Sequence, residues 1–288
     1  MVPGAAATYS TPNGLCLPLP RLAETSFGVP SAGVTFLGDE GVATACGVRL
    51  GFTTRHGGAS QGAFSSLNLS TYVGDAPEHV QANRRKVLAA LGAQAAEGQL
   101  IVPKQVHGSE VLVADDVACT QQLAAQGADA IVCARAGVPV LLTFADCVPV
   151  ILVAPGGAFS VVHSGWRGTY AGIAGKALGV LSGVAGCAPQ ECNAYIGPHI
   201  GPCCYEVDGE LLALFCERYG QVCNAGASHL KLEAAVRLSL LSAGANAQRI
   251  ASAGICTSCN TTQYFSHRAE DGHTGRHGAL AYREEPQG

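Results

Sequence analysis

Two apolar runs separated by a tight turn constrain the fold of this chain more than any other feature. Residues 148–153 and 159–162 are two mainly apolar runs, and Pro155, Gly156 and Gly157 lie between them. Short apolar runs flanking a cluster of turn residues are typical of a β-hairpin. The sequence therefore predicts an antiparallel hairpin at this point.

The remaining pattern predicts a mixture of short strands and helices. Strands are predicted at 34–37, 48–53, 99–106, 110–114, 130–133, 138–144, 148–153 and 159–163. Helices are predicted at 78–91, 169–184, 209–219 and 230–243, and Gly244 is the glycine expected after the last of these. This order indicates α+β or α/β packing, with helices covering sheets. We expect a loose N-terminal arm over residues 1–30 and one domain over 31–288.

Composition excludes several classes of protein. With 48% hydrophobic and 13% charged residues and a mean hydropathy of +0.24, the chain is too apolar to be disordered. Its formal net charge is −4 without a run of one sign, which argues against a nucleic-acid surface. The longest apolar tract, 138–154, is interrupted by Pro139, Asp146 and Pro149, so no membrane span is predicted.

The N-terminal residues lack the features of a signal peptide, which predicts a cytoplasmic protein. In a reducing compartment the thirteen cysteines are expected to be thiols or metal ligands rather than disulfides.

Chemically active residues collect at the open end of the predicted hairpin. Cys147 precedes the first strand and His163 ends the second, so the two lie nearly opposite each other if the turn is centred on 155–157. Facing residues of an antiparallel pair have Cβ atoms about 5 Å apart, close enough to share a metal or a proton. The neighbouring side chains are Asp146, Trp166 and Arg167.

A third ligand candidate is His107, which follows a strand-like run in the segment KQVHG. Together with Cys147 and His163 it makes a set of two imidazoles and one thiol. Zinc is the natural ion for these ligands, and three protein ligands leave one position for water or substrate, as in catalytic zinc sites.

Many short motifs resemble those of the YfiH family, whose members are named variously as multicopper polyphenol oxidase (laccase-like), purine nucleoside phosphorylase and the PgeF peptidoglycan-editing factor. The resemblance runs from about Gly51 to Ala281. Its segments, in chain order, are GFTTRHGGAS, SLNLS, GD, NRR, KQVHG, GADA, FADCVPV, HSGWRG, YIGPHIGPCCYEV, ICTSC, FSHR and TGR. The resemblance implies zinc held by His107, Cys147 and His163, and an α+β fold of packed mixed sheets flanked by helices. The usual Gly after YEV is replaced by Asp208.

The leading hypothesis, which rests on this resemblance, is a zinc enzyme acting on purine nucleosides. It implies phosphorolysis of adenosine, inosine or methylthioadenosine, and deamination of adenosine. Water activated by zinc is suited to attack at C6 of adenine, with Asp146 or an unligated imidazole moving the proton. The candidates for binding phosphate are Arg55, Arg167, Arg268 and Arg276. The candidates for stacking on the base are Phe144, Trp166, Tyr170, Tyr205 and Phe265.

Three alternatives remain open. Cys147 could act as the nucleophile of a cysteine hydrolase that edits peptidoglycan precursors, with His163 or His107 as its base. A copper laccase is disfavoured, because multicopper sites need about ten His ligands, often as H-x-H pairs, whereas this chain has nine His and no such pair. Cys256 and Cys259, with Cys203 and Cys204, could instead form the structural zinc site of a binding module, although the second pair lacks zinc-ribbon spacing.

Overall fold

A computed structural model describes residues 17–27 and 33–285. Most of the predicted arm over 1–30 therefore lies outside the described residues. The strands are β1 (Ala23–Thr25), β2 (Phe36–Gly38), β3 (Val48–Thr53), β4 (Val111–Val113), β5 (Ala130–Cys133), β6 (Val140–Phe144), β7 (Val148–Val153), β8 (Phe159–Ser164), β9 (Asn193–Ile196), β10 (Ile250–Ser252) and β11 (His277–Arg283). The α-helices are α1 (Glu40–Cys46), α2 (Pro77–Leu91), α3 (Val117–Gln126), α4 (Trp166–Tyr170), α5 (Ile173–Ala185), α6 (Gly209–Tyr219) and α7 (Leu232–Ser242).

Two sheets form the centre of the fold. The first has strand order β1-β2-β3-β11-β6 and is antiparallel throughout. The second has order β10-β9-β7-β8-β5-β4, with parallel pairing only at its two edges. The predicted α+β class, with packed mixed sheets flanked by helices, is confirmed.

The alternation of side chains along β7 explains the layering. Val148, Val150 and Leu152 pack against α5 and α7, whereas Ile151 and Val153 pack against the first sheet. Both faces of this strand are therefore buried, which is why its sequence is continuously apolar rather than alternating. On the far side of the first sheet, α2 covers a further apolar layer. The order of layers is helix, sheet, sheet, helix.

The predicted hairpin is β7 and β8. Its turn is closed by hydrogen bonds between Ala154 and Ala158 and from Gly157 to Ala154. Gly156 and Gly157 both have φ of 87°, a left-handed conformation that favours glycine.

Most predicted elements are present, and three of the predicted strands, 48–53, 130–133 and 148–153, match to the residue. The helix predicted over 169–184 is wrong in its bounds, since the chain there forms α4 and α5 with Gly172 between them at φ of 77°. The strand predicted over 99–106 is also wrong. Only Ile101 forms a bridge, to Val140, and Pro103 removes a backbone donor from the middle of that run.

Four of the sequence motifs, GFTTRHGGAS, SLNLS, GD and NRR, meet in one buried polar network. The carboxylate of Asp75 accepts hydrogen bonds from Ser60 (2.6 Å) and Asn68 (2.9 Å), and Asn83 donates to Ser60 and to the Asn68 carbonyl. The network fixes the segment around Ser70, which reaches the cleft described below.

Within the described residues, no helix is long and apolar enough to cross a bilayer.

Candidate metal centre and substrate cleft

The register of β7 and β8 brings the predicted thiol and imidazole together diagonally. Pro149 pairs with His163 and Val148 with Ser164, so Cys147, one residue beyond the strand, faces Gly165 rather than His163. A Cβ atom on Gly165 would lie 2.9 Å from Cδ2 of His107 and 3.3 Å from Sγ of Cys147. The absence of a side chain at residue 165 is therefore what makes room for the cluster.

His107, Cys147 and His163 place one potential ligand atom each within 4.8 Å of one another. The His107 and His163 rings are arranged edge to face, with centroids 4.8 Å apart. Two imidazoles and a thiolate fit a zinc ion, and three protein ligands leave a position for a further ligand. The three residues that the sequence predicted as ligands are thus brought together.

Asp129 organises both histidine segments. Its Oδ1 lies 2.7 Å from Nδ1 of His163, which leaves Nε2 of that ring as the nitrogen available to a metal. The same carboxylate accepts backbone N–H bonds from His107 (3.0 Å) and Gly108 (2.7 Å). Burial raises the pKa of Asp129, but the bonds from His163 and these backbone groups outweigh burial and lower it overall. Asp129 is therefore an ionised, fully buried anchor of the site.

The thiol and the imidazole of the cluster stabilise each other's charged forms. Burial raises the pKa of the Cys147 thiol, yet the charge of His163 and hydrogen bonds from His107 and His163 lower it to about 6. Burial lowers the pKa of His163, yet the Cys147 thiolate and Asp129 raise it to about 9. The thiolate, which is the form of cysteine that binds metals and acts as a nucleophile, is favoured at neutral pH.

Two residues of the site have left-handed backbone conformations. The φ angles are 58° at His107 and 85° at Asp146. Such conformations are uncommon outside glycine and collect at functional sites. The Asp146 carboxylate accepts bonds from Thr257 (2.6 Å), Ser266 (2.8 Å) and the Arg268 backbone (2.7 Å), so it holds two distant segments, around 257 and 266–268, at the cleft.

The three potential ligands, His107, Cys147 and His163, line a cleft of about 660 Å³. Four cationic side chains line it, with Asp146 as the one carboxylate among the lining residues of the described chain. The cations are Lys104, Arg167, Arg268 and Arg276. An anionic group on a substrate therefore meets an excess of positive charge here.

Trp166 and Tyr205 provide aromatic surface in the cleft, and Tyr72 adds a ring that is 67% exposed. The Arg167 guanidinium lies 4.2 Å from the Trp166 ring centroid, and that of Arg268 lies 5.5 Å from the Tyr205 ring centroid. Both rings thus have one cationic neighbour within the cleft.

The predicted site residues Cys147, His163, His107, Asp146, Arg167, Trp166 and Arg276 all line the cleft. Arg55 does not. Its guanidinium donates to Glu270 (3.0 Å) and to the Thr261 carbonyl (2.7 Å), and it lies over the Phe265 ring. These contacts hold two loops together. Because Arg55 does not line the cleft, the catalytic and substrate-binding roles predicted for it stay predictions.

Sequence reasoning missed Asp129, although the signal was present. In the segment GADAIV an acidic residue immediately precedes a fully apolar strand. A buried carboxylate at such a position requires partners, and a histidine ring and backbone donors supply them here. Gln105 was missed as well, and its amide bonds to Thr143 along the wall of the cleft.

A comparison with protein families matches residues 49–284 to the family described as multi-copper polyphenol oxidoreductase laccase. The chain belongs to this family, the YfiH family named above. The YfiH-family chain is 37% identical over 252 residues to "Purine nucleoside phosphorylase YlmD" of Geobacillus stearothermophilus, covering 83% of this chain and 91% of the relative. It is 32% identical over 251 residues to "Adenosine deaminase RL5" from an unknown prokaryotic organism, covering 83% and 95%.

Solved structures of the YfiH family share the fold. The crystal structure of YlmD from Geobacillus stearothermophilus has a TM-score of 0.78 and 34% identity, covering 90% of this chain and 99% of that one. The hypothetical protein YfiH of Bacillus licheniformis gives a TM-score of 0.78 at 28% identity, with 88% and 98% covered. Asp208 caps α6 by accepting a bond from the Leu211 N–H (2.6 Å).

Proposed function

We propose that this protein is a zinc-dependent enzyme of purine nucleosides that cleaves adenosine, inosine or methylthioadenosine with phosphate and also deaminates adenosine. The observation that carries the proposal is the presence, in one cleft, of a two-histidine, one-cysteine ligand set beside four cationic side chains. The first suits a catalytic metal, and the second suits the phosphate co-substrate.

His107, Cys147 and His163 would hold the metal. A zinc ion there supplies Lewis acidity toward an oxygen atom of the substrate or of water. Asp129 fixes the orientation of the His163 ring through Nδ1 and, through its backbone bonds, the loop that carries His107. Asp146 lines the same cleft, and we propose it as the group that moves a proton to or from the bound substrate.

The cationic wall would hold phosphate. Guanidinium groups bind phosphate through paired N–H donors, and Arg167 and Arg276 both reach the cleft. One nitrogen of Arg276 already donates to the carbonyls of Thr274 and Gly275, which fixes the direction of its side chain. A preoriented guanidinium loses less conformational freedom when the anion binds.

The aromatic residues of the cleft would hold the base. Trp166 and Tyr205 line the cleft together with the metal cluster, and a purine presents two flat faces for stacking. Relatives named purine nucleoside phosphorylase and adenosine deaminase, each matched over more than four fifths of this chain, support a nucleoside as the substrate.

Chromatography of the products from adenosine tests the proposal. With phosphate the enzyme should release adenine, and without phosphate it should form inosine. Cys147→Ala should lose the metal of this ligand set and both products together, whereas Cys119→Ser, which changes an exposed thiol on α3, should keep them. Full turnover by Cys147→Ala would overturn the zinc mechanism.

A second candidate function has an observation of its own. Cys147, His163 and Asp129 follow one another as thiolate, imidazolium and carboxylate, which is the order of a cysteine hydrolase. Such an enzyme could remove a wrongly incorporated amino acid from a peptidoglycan precursor. Metal-free protein that keeps its turnover and is inactivated by iodoacetamide would favour this function over the nucleoside enzyme.

Zinc is proposed rather than copper because histidines are too few for multicopper chemistry. Of the potential metal groups within the described residues, one contains two histidines and the other contains none.

The partners we propose are small molecules, a purine nucleoside and phosphate, with no nucleic acid and no membrane. We propose the cytoplasm as the compartment, since the described thiols are free and a thiolate site needs reducing conditions.

A further inference from the structure

A second group of potential ligands lies outside the site described above. Cys203, Cys204, Cys256 and Cys259 place their sulfur atoms within 4.8 Å of one another. Sγ of Cys259 is 3.5 Å from that of Cys203 and 3.3 Å from that of Cys204. None of the four is fully buried, so they do not serve as small core side chains.

The fold explains why residues more than fifty positions apart meet here. β9 and β10 are parallel neighbours at the edge of the second sheet, and their carboxyl ends lie on the same side. The loop after β9 carries Cys203 and Cys204, and the loop after β10 carries Cys256 and Cys259. A backbone bridge between His199 and Cys256 continues the pairing into these loops.

Gly201 allows the sulfur atoms to approach. A Cβ atom at residue 201 would lie 3.1 Å from Cβ of Cys256 and 3.3 Å from Sγ of Cys203. The Gly201 N–H donates to Sγ of Cys256 at 3.1 Å. Hydrogen bonds of this kind orient and stabilise thiolate ligands of metals.

We propose that these four cysteines form a second metal site, a structural tetrathiolate site for zinc or another thiophilic divalent ion. Zinc–sulfur bonds of about 2.3 Å in a tetrahedron put the sulfur atoms about 3.8 Å apart, close to the spacings found here. On binding, each S–H bond is replaced by a sulfur–metal bond, and the protons pass to solvent. No atom is oxidised or reduced.

The four-cysteine site is connected by hydrogen bonds to residues that line the cleft. The Arg268 guanidinium donates to the carbonyls of Cys204 (3.1 Å) and Glu206 (3.0 Å). Thr257, within the C-x-x-C segment, donates to Asp146 (2.6 Å). A metal that joins the two loops would therefore fix the cleft wall formed by Tyr205, Arg268 and Asp146.

Metal analysis of protein purified and kept under reducing conditions tests the site. The native chain should hold two ions, one for each ligand group. Cys147→Ala should keep one ion, and its cobalt derivative should show the intense near-ultraviolet charge-transfer bands of several thiolates. Cys256→Ser/Cys259→Ser should keep one ion with weaker bands from a single thiolate. Cys119→Ser is the control and should keep both ions.

Measurements on unsubstituted protein keep the proposal falsifiable if a variant fails to fold. The native chain should protect the four thiols of this site, and Cys147 of the other ligand group, from a thiol-specific reagent until a chelator is added. The site would be refuted if Cys147→Ala folds without metal, or if all exposed thiols of native protein react at once. It would also be refuted if mass spectrometry of protein kept reduced finds these cysteines linked as disulfides. This readout is metal content and not turnover. The second metal site can therefore be refuted while the proposed nucleoside activity stands, and the activity can be refuted while the second site stands.

Discussion

Oδ1 of Asp129 lies 2.7 Å from Nδ1 of His163, and this contact connects the cluster of His107, Cys147 and His163 to the second sheet. Asp129 immediately precedes β5, and His163 belongs to its antiparallel neighbour β8. Two paired strands are a stiffer support than loops for a ring that we propose as a metal ligand. The contact also selects the nitrogen with which His163 can act as a ligand.

Replacing Asp129 by Asn should weaken metal binding. The amide keeps the shape of the side chain but removes the charge that favours an N–H on Nδ1 of His163. Changes to such supporting groups typically cost about 10- to 100-fold in metal affinity. Competition with a chromogenic chelator measures the affinity. Asp115→Asn, at an exposed carboxylate, is the control and should change nothing. Equal affinity of Asp129→Asn and native protein would count against the supporting role.

Adding a single methyl group at residue 165 should disrupt the cluster without unfolding the protein. Gly165 has φ of −68°, which alanine adopts freely, yet the new Cβ would lie 2.9 Å from His107 and 3.3 Å from Sγ of Cys147. The His107 ring must move, so Gly165→Ala should lose the ion held by His107, Cys147 and His163 while keeping its circular dichroism spectrum. Gly179→Ala, where the added Cβ meets nothing, should retain metal. Full metal content in Gly165→Ala would mean that His107 is not a ligand.

Substitution of Arg167 should impair the use of phosphate. Arg167→Gln keeps a planar group over Trp166 but removes the charge. A hydrogen bond to a charged group is worth about 1.5–3 kcal/mol, so kcat/KM for phosphate should fall by about 10- to 100-fold. Arg85→Ala, which removes a surface ion pair with Glu97, provides the comparison. A phosphate dependence identical to that of native enzyme would exclude Arg167 from the anion site.

The buried network around Asp75 should make stability depend on pH in the acid range. Burial raises the pKa of Asp75, but hydrogen bonds from Asn68, Ser60 and Ala76 outweigh it, so the folded-state pKa lies below the unfolded value. The stabilisation is therefore present above the unfolded pKa of about 4 and is lost as pH falls through the folded pKa.

Urea unfolding at several pH values tests this dependence. Asp75→Asn should be less stable than native protein by about 1–3 kcal/mol at pH 7, and the difference should shrink below about pH 4. Asp271→Asn, which changes an acidic residue outside the network, should leave the profile unchanged. A constant difference between Asp75→Asn and native protein at every pH would show that the carboxylate charge is not the cause.

Local patterns were sufficient to predict the hairpin and the proximity of Cys147 to His163. The apolar runs around Pro155 define β7 and β8, and the strand ends then place Cys147 and His163 together. The exact register could not be predicted, because a shift of two residues leaves the same side chains on the same face. The observed shift places Gly165 opposite the thiol, and only the structure shows what that glycine permits.

Other features depend on contacts that no local pattern contains. β11 is an interior strand of the first sheet, between β3 and β6, although its segment, HGALAYR, begins with weak strand formers. His277, whose neighbours Gly275 and Gly278 are typical of a loop, is the first residue of this strand and is buried. The four-cysteine group likewise requires β10 to pair with β9, which is a long-range relationship.

The most direct test of the account is titration of metal-free enzyme with zinc while phosphate-dependent release of adenine from adenosine is followed. Native protein should be inactive without metal and regain activity as zinc fills the cluster of His107, Cys147 and His163. Cys147→Ala should take up less zinc and stay inactive throughout. If metal-free protein turned over adenosine at the full rate, or if zinc-loaded native protein released no base and formed no inosine, the proposed function would be contradicted.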